Sequence, residues 1–560
     1  MKYKWLPRPE KTQTKNLQEI LTELSEPVKK IILRRGFDTE FLESDFTSLS
    51  AWDALPGALQ ASEILAEAIQ KKQKIIVHGD FDADGVTSTA LVVRVIRALG
   101  GDIDFHIPDR FTEGYGLTET GVNKCLSINA SVLLTVDCGI TANKEVSLLQ
   151  DAGVKVIITD HHLPSEKLPE AAVIVNPVLS THAEAPWSHL AGVGVVYFVL
   201  RGLCSKMGKP DLSELEPDIV AIGTICDMVS LTGDNRILVK EGLRSLRTKP
   251  STGLKALLRK ANIEYSKTTP RDIGFGIGPR INSAGRIAHA DLSVKLLLED
   301  ETRFAEELAL KLDNANKERR NLDSLVYSEA EKLLRNNNTL FAIADSSDWH
   351  AGVLGISASR LSRELGKPVL LVSWNDDIGK GSARGVPGMP VYSILSEALA
   401  KGLLLRFGGH AQATGLTVKR EHFAAFRSFV EEEAEKRCTE IPRPVLFVDG
   451  RLTAENCDFT ILKSLKRLEP FGTDNPEPVW IMRNIYPVSF RSVGADGRHL
   501  QVSFQENGVT LRGIGFGMGH RTSELNRKLD VAFTLSEDTF RANNTVQMII
   551  LDIKPAARKL

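Results

Sequence analysis

Between residues 58 and 175, short apolar runs alternate with stretches in which apolar residues recur every three or four positions. The runs at 75–77, 103–107, 132–136, 154–158 and 173–175 predict strands, and the periodic stretches at 58–72 and 87–99 predict helices. Strands separated by helix-length segments predict an α/β domain with a doubly wound, mostly parallel sheet and helices on both faces. Residues 291–337 are charged and lack Pro and Gly, with Leu308, Leu312 and Ala315 on one face. That composition suits a coiled coil or one long helix joining two domains. A second, smaller α/β pattern follows, with strands at 340–344 and 369–372 around a helix at 353–365. Beyond Pro442-Arg443-Pro444, alternating segments at 486–490, 500–504, 509–514, 531–535 and 546–551 predict a small β domain. Helical periodicity over 15–34 is all that marks the first 50 residues. The resulting plan is a leader over 1–50, an α/β domain over 51–290, a connecting helix over 291–337, a second α/β domain over 338–440 and a β domain over 441–560.

The chain has 560 residues, 42% apolar and 25% charged, ordinary for globular protein and enough for roughly three or four domains. No apolar run is long enough to span a bilayer, and no apolar signal core follows the basic start Met1-Lys2-Tyr3-Lys4-Trp5. Six scattered cysteines without a CxxC pair fit a reducing cytosol and argue against a disulfide frame or a thiolate zinc site. A cytoplasmic protein without a membrane segment is the expectation. The net charge of −1 means that any groove tracking phosphates must be local.

The candidate chemistry lies where strands end. Asp80, Asp82 and Asp84 follow the run at 75–77, Asp137 follows 132–136, and Asp160 with His161 and His162 follows 154–158. Ligands of open parallel sheets bind outside the carboxyl ends of the strands, so these groups are expected on one rim. Carboxylates this close raise each other's pKa, and a hard divalent cation such as Mg²⁺ or Mn²⁺ resolves the repulsion. Asp227 ends the apolar run 219–226 and needs an opposite charge; a cation or Arg236 would each supply it. Taken alone, Asp227 favours Arg236.

These residues carry a resemblance. His78-x3-Asp82-x-Asp84, Val136-Asp137-Cys138-Gly139, Asp160-His161-His162 and Asp227 resemble, in order and approximate spacing, the four motifs of the DHH phosphoesterases. His78-Gly79-Asp80-Phe81-Asp82-Ala83-Asp84-Gly85 is most similar to a bacterial branch of single-strand-specific 5′-to-3′ DNA exonucleases. Gly278-Pro279-Arg280-Ile281-Asn282-Ser283-Ala284-Gly285-Arg286 resembles a signature of that branch, and Gly408-Gly409-His410 resembles the glycine-rich motif of the associated DHHA1 domain. The resemblance spans roughly residues 50 to 550 and implies an OB-fold for the β domain.

It also implies residue roles. One metal would be held by His78, Asp82 and Asp137, the other by Asp84, Asp137, His161 and Asp227, with Asp137 bridging. A water between two such cations gives up its proton near neutral pH. His162 would donate to a non-bridging phosphate oxygen, and Asp80 and Asp160 would orient ligand histidines or water. Read from their place after the strand at 103–107 rather than from the resemblance, Arg110 could grip a phosphate and Tyr115 could stack on a base or sugar, with solvated surface the alternative. Arg280, Asn282 and Arg286 would line the nucleic-acid path, Ser382 and Arg384 would form a terminal-phosphate pocket, and His410 would touch substrate. The implied activity is 5′-to-3′ exonuclease release of 5′-mononucleotides from single-stranded DNA in recombination and repair, with two Mn²⁺ or Mg²⁺ ions. Implied partners are single-stranded DNA, a single-stranded-DNA-binding protein and a DNA helicase, for a monomer. Smaller relatives act on pyrophosphate, nano-RNA or cyclic dinucleotides, but need no extra β domain. Cdc45-like scaffolds have lost motif residues that are all present here.

Overall fold

The computed structural model describes residues 3–11, 21–209, 216–335, 338–410, 412–494, 496–538 and 545–556. It divides into two compact units: Met1–Ile281 with Ala290–Ala309 and Val445–Leu560, and Asn282–His289 with Leu310–Pro444. Among the described residues, no helix is long and apolar enough to cross a membrane.

In the first unit, β1 (Lys4–Pro7) pairs in parallel with a strand at Val445–Val448. Residues 15–20 of the expected early helix lie outside the described residues; beyond them the helix α1 (Glu26–Arg35) starts with Pro in its first turn and stops at Gly36, whose φ of 65° suits a residue without Cβ. Its Val28, Ile31 and Ile32 are fully buried, in one core with Leu500, Phe504, Phe533 and Ile553 from the C-terminal part of the chain.

The central sheet comprises β2 (Lys74–Gly79), β3 (Asp102–His106), β4 (Val132–Val136), β5 (Lys155–Thr159) and β6 (Val173–Val175). All pairings are parallel, in the order 3-2-4-5-6. Ile75, Ile76, Val77, Leu133, Val156 and Ile157 have no exposure, which is why these runs are continuously apolar. The helices around this sheet are α2 (Ala58–Gln70), α3 (Ala83–Ala98), α4 (Glu119–Ser127), α5 (Asn143–Asp151), α6 (Gly192–Lys206), α7 (Pro217–Cys226) and α8 (Gly233–Thr248). Val122 and Cys125 of α4 and Val146 and Leu149 of α5 pack with Ile76, Leu133, Val156 and Ile158 on one face. α3 contacts β2 and β4, and α6 contacts β4 and β5. The chain leaves β2 for β3 on one side and returns to β4 on the other, so the switch point where such sheets bind ligands lies between the carboxyl ends of β2 and β4.

The single helix expected over 291–337 is interrupted. α9 (Asp291–Leu298) ends at Glu299 in an extended conformation, and α10 (Thr302–Leu334) begins afresh. Glu299 Oε1 accepts from the Glu301 amide at 2.8 Å, while Arg94 holds the Leu297 carbonyl at 3.0 Å and the Asp300 carboxylate at 2.9 Å. These bonds compete with helix continuation. The boundary between the two units falls inside α10.

The second unit has a five-stranded sheet of β7 (Ala342–Ser346), β8 (Val369–Asn375), β9 (Ile378–Arg384), β10 (Arg406–His410) and β11 (Ala413–Lys419), in the order 10-11-9-8-7. Only β7 and β8 are parallel, joined through α11 (Leu354–Leu365).

Back in the first unit, β12 (Val445–Val448) and β13 (Gly450–Arg451) lead to β14 (Trp480–Val493), β15 (His499–Glu506), β16 (Val509–Gly515), β17 (Leu529–Asp538) and β18 (Thr545–Pro555). The pairings 14-15-16-18-17 close through β14–β17 into a five-stranded barrel, an OB-fold. Because α1 seals this core, Ile31→Ala is expected to destabilise the first unit by about 2–5 kcal/mol. A thermal melt checks this; an unchanged midpoint would mean that α1 is dispensable to the barrel.

Candidate metal centre

Three loops and one helix end converge at the switch point. Asp82 caps α3, its Oδ1 accepting from the amides of Asp84 at 2.9 Å and Gly85 at 3.2 Å. The turn is so tight that a Cβ on Gly85 would lie 2.5 Å from the Asp80 carbonyl oxygen. Asp84 accepts from the first amides of α6, Gly192 at 2.6 Å and Val193 at 2.9 Å, where the helix dipole favours a carboxylate. Asp137, at φ 60°, follows β4, and its amide donates to Thr159 at 3.0 Å. Gly192 allows α6 to press on it: a Cβ there would meet Asp137 Oδ1 at 2.7 Å. Asp227 ends the buried helix α7.

His161 Nε2 sits among their oxygens, 3.1 Å from Asp137 Oδ1, 3.5 Å from Asp227 Oδ2 and 3.9 Å from Asp84 Oδ2. Ligand atoms come within 4.8 Å of one another in three sets: Asp84, His161 and Asp227; Asp80, Asp82 and Asp137; and Asp137, His161 and His162. Asp137 therefore links the aspartate set to the histidines.

The charges conflict without a cation. Burial first, then neighbouring acids, pushes Asp137 and Asp80 well above the ordinary carboxylate range, Asp84 to about 7 and Asp227 to about 9. Among the described residues, no hydrogen bond reaches the buried Oδ1 of Asp80 or of Asp137. Buried oxygens without donors, beside one imidazole, fit hard divalent cations such as Mg²⁺ and Mn²⁺. Arg236 is not the counter-charge for Asp227. It lies on α8 and donates to the carbonyls of Phe41 at 3.2 Å, Leu468 at 3.0 Å and Arg467 at 3.3 Å.

His78 is in none of the three sets. β2 runs two residues beyond the expected 75–77, so His78 is still a strand residue on the face of Ile76, the face under α4. Its Nε2 donates to the Gly116 carbonyl at 2.9 Å, and Gly121 of α4 leaves room for its ring. Burial, then His106, drives its pKa down to about 4. Asp80, expected to orient a ligand histidine or a metal-bound water, offers an oxygen to the aspartate set. Asp160 accepts from His162 Nδ1 at 2.7 Å and from the amides of His161, His162 and Ile140. Burial opposes the charge on His162, but the Asp160 bond prevails and its pKa rises. Tyr115 Oη is 3.2 Å from His162 Nδ1, and Arg110 lies over Phe81, 4.1 Å from its ring centre.

Arg280, expected on the nucleic-acid path, lies in the first unit. It donates to the carbonyls of Gly276 at 2.7 Å and Lys260 at 3.5 Å and is 8% exposed. In the second unit, Asn282 is partly buried, with no described hydrogen bond to its Oδ1. Arg286 donates to Gly352 at 3.1 Å, and Arg384 to Ser382 Oγ at 2.9 Å. A Cβ on Gly355, in the first turn of α11, would meet Arg384 at 2.5 Å and Ser382 Oγ at 3.1 Å, so these side chains gather at that helix start. His410 ends β10, and its register partner Ala413 pairs with Arg384. The α6 amides were missed, although Ala191-Gly192-Val193-Gly194 opening an apolar run is a readable sign of a close helix N-terminus. Glu113, which ties the Arg110–Tyr115 segment, was also missed.

A parallel sheet carrying two acid–imidazole groups at its switch point defines a DHH phosphoesterase. Family models agree: the DHH family, N-terminal domain, matches residues 74–224, the DHHA1 domain 336–436 and the RecJ OB domain 448–552. The single-stranded-DNA-specific exonuclease RecJ of Haemophilus influenzae is 35% identical, over 92% of this chain and 94% of that protein. Crystal structures of RecJ from Thermus thermophilus, one in complex with Mn²⁺ and one with Mg²⁺, align with TM-scores of 0.84 and 0.79 at 31% and 29% identity. Each covers 99% of this chain, and 80% and 79% of the Thermus chains respectively. The chain belongs to the RecJ family.

The raised carboxyl pKa values mean that the metal-free folded state holds protons more tightly than the unfolded chain. Their contribution to stability is full below the unfolded value of 3.8 and is lost as pH rises through about 7 for Asp84 and about 9 for Asp227. The melting temperature of chelator-treated protein should fall across that window, and Mn²⁺ should raise it most at the alkaline end. A Mn²⁺ effect independent of pH would contradict this electrostatic account.

Proposed function

We propose that this chain is a metal-dependent exodeoxyribonuclease that degrades single-stranded DNA from the 5′ end and releases 5′-mononucleotides. The observation that carries the reading is Asp137, shared between an aspartate set and a histidine-bearing set at the switch point of a RecJ-family sheet. Asp84, Asp137, His161 and Asp227 would hold one divalent cation, and Asp80, Asp82 and Asp137 the other, as Mn²⁺ or Mg²⁺. Bound there, the cations would supply an activated water and neutralise charge on the phosphate.

The chain's own side chains do the rest. Asp160 accepts from His162 Nδ1, which raises the His162 pKa and would leave Nε2 to donate to a phosphate oxygen as negative charge grows there. Arg110 carries a second positive charge beside Asp80 and Asp82. Ser382 and Arg384 at the start of α11 suit a terminal phosphate, because helix N-termini favour anions. That cluster supports recognition of a 5′-terminal phosphate. Work in recombination and repair in the cytoplasm, as a monomer cooperating with a single-stranded-DNA-binding protein and a helicase, completes the reading by family likeness.

Oligonucleotides blocked at either end, single- or double-stranded, with Mn²⁺ or Mg²⁺, test polarity and strand preference. Cleavage from a 3′ end with the 5′ end blocked would overturn the polarity. Asp82→Asn should slow hydrolysis by roughly a hundredfold or more while oligonucleotide binding persists. Undiminished turnover would exclude Asp82 as a ligand.

A further inference from the structure

We propose that Glu113 is a positioning residue for this reaction: it locks the segment 109–116 so that the Tyr115 hydroxyl is delivered to His162. The inference rests on the proposed function for its chemistry and on the local hydrogen bonds for the lock.

The segment needs a lock. Tyr115 is 53% exposed and stands between Gly114 at φ 93° and Gly116 at φ 89°. No atom lies within 4 Å of where a Cβ would stand on either glycine. A tip with two permissive, unpacked residues loses much conformational freedom when it is ordered, so its geometry must be imposed by its base.

Glu113 imposes it with one carboxylate. Oε1 accepts from the Asp109 amide at 2.9 Å. Oε2 accepts from Thr118 Oγ1 at 2.8 Å and lies 3.1 Å from His106 Nε2. Thr118 in turn accepts from the Gly121 amide at 3.1 Å and so caps α4. One side chain thus joins the end of β3, the first turn of the segment and the start of α4. Asp109 Oδ1 adds bonds from the amides of Phe111 and Thr112, both at 2.9 Å. On the far side of the tip, His78 Nε2 holds the Gly116 carbonyl at 2.9 Å. The tyrosine between these anchors donates its hydroxyl to the Asp137 carbonyl at 3.5 Å and sets its oxygen 3.2 Å from His162 Nδ1, where it can share the proton that Nδ1 donates to Asp160, with its ring edge-on to His162 at 5.9 Å between centres. Glu113 is suited to stay ionised: burial works against it, but the bonds from Asp109, Thr118 and His106 outweigh that and its pKa falls.

The test compares Glu113→Ala, Glu113→Gln, Tyr115→Phe and the Glu113→Ala/Tyr115→Phe pair. Backbone amide exchange over residues 109–116 should quicken in Glu113→Ala while the central strands keep their protection. Its kcat on single-stranded oligonucleotide should fall about ten- to a hundredfold, as expected for a small misplacement of reacting groups. Tyr115→Phe should cost activity in the wild-type background and little more in Glu113→Ala, because the hydroxyl has already left its place. Glu113→Gln keeps one acceptor and should recover part of the loss. Unchanged exchange, a kcat within twofold of wild type, or full additivity of the pair would each overturn the proposal. If Glu113→Ala fails to fold, Thr118→Val, which removes one bond to the carboxylate, takes its place in the series. A wild-type protein that cleaves no single strand would refute the proposed function instead, and amide exchange would still report on the lock.

Discussion

Mutual repulsion of buried carboxylates is the constraint around which this molecule is arranged. Asp80, Asp84, Asp137 and Asp227 are brought together beside Asp82 largely out of water, where burial first and then the neighbouring acids disfavour their ionisation. The fold supplies part of the compensation itself. Two amides at the start of α6 receive Asp84, and His161 sits among the acids. Asp137 adopts a left-handed backbone that costs a non-glycine residue of order 1–3 kcal/mol, and the packing of Gly192 against it holds that conformation. What the fold leaves uncompensated is a demand for cations, and that demand is the function.

The groups that meet there ride on β2, β4, β5 and the end of α7, all anchored in a sheet buried on both faces, which suits a site that must hold its geometry. Asp227 is steadied from further away. The next residue, Met228, receives Thr473 Oγ1 on its carbonyl at 2.7 Å, and Leu231 donates to the Thr473 carbonyl at 3.0 Å. Arg236 fastens α8 to residues 467–468 and to Phe41. Phe41 and the approach to the barrel therefore bear on the metal centre through packing.

The parts of this plan that were legible in the sequence are those that depend on local periodicity. Strands at 132–136 and 173–175 appear with the predicted bounds, and the acids after three strands share a rim because parallel strands put their ends on one side. The long helix was over-extended, because periodicity does not register the side-chain bonds of Glu299 and Arg94 that stop it. Arg236 does not pair with Asp227 for a related reason: its partners lie more than 190 positions away along the chain.

By itself, the sequence determined that a doubly wound sheet forms and that acids and imidazoles gather at its rim, since apolar alternation sets the strands and strand direction sets the rim. Only the tertiary structure decided which of those groups face one another. Side-chain direction turned His78 beneath α4 and put Asp80 with Asp82 and Asp137, and the approach of α6 chose Asp84 for its amides. Whether the residues just past an apolar run continue the strand decides which face their side chains take, and no local pattern in the chain specifies that end closely enough.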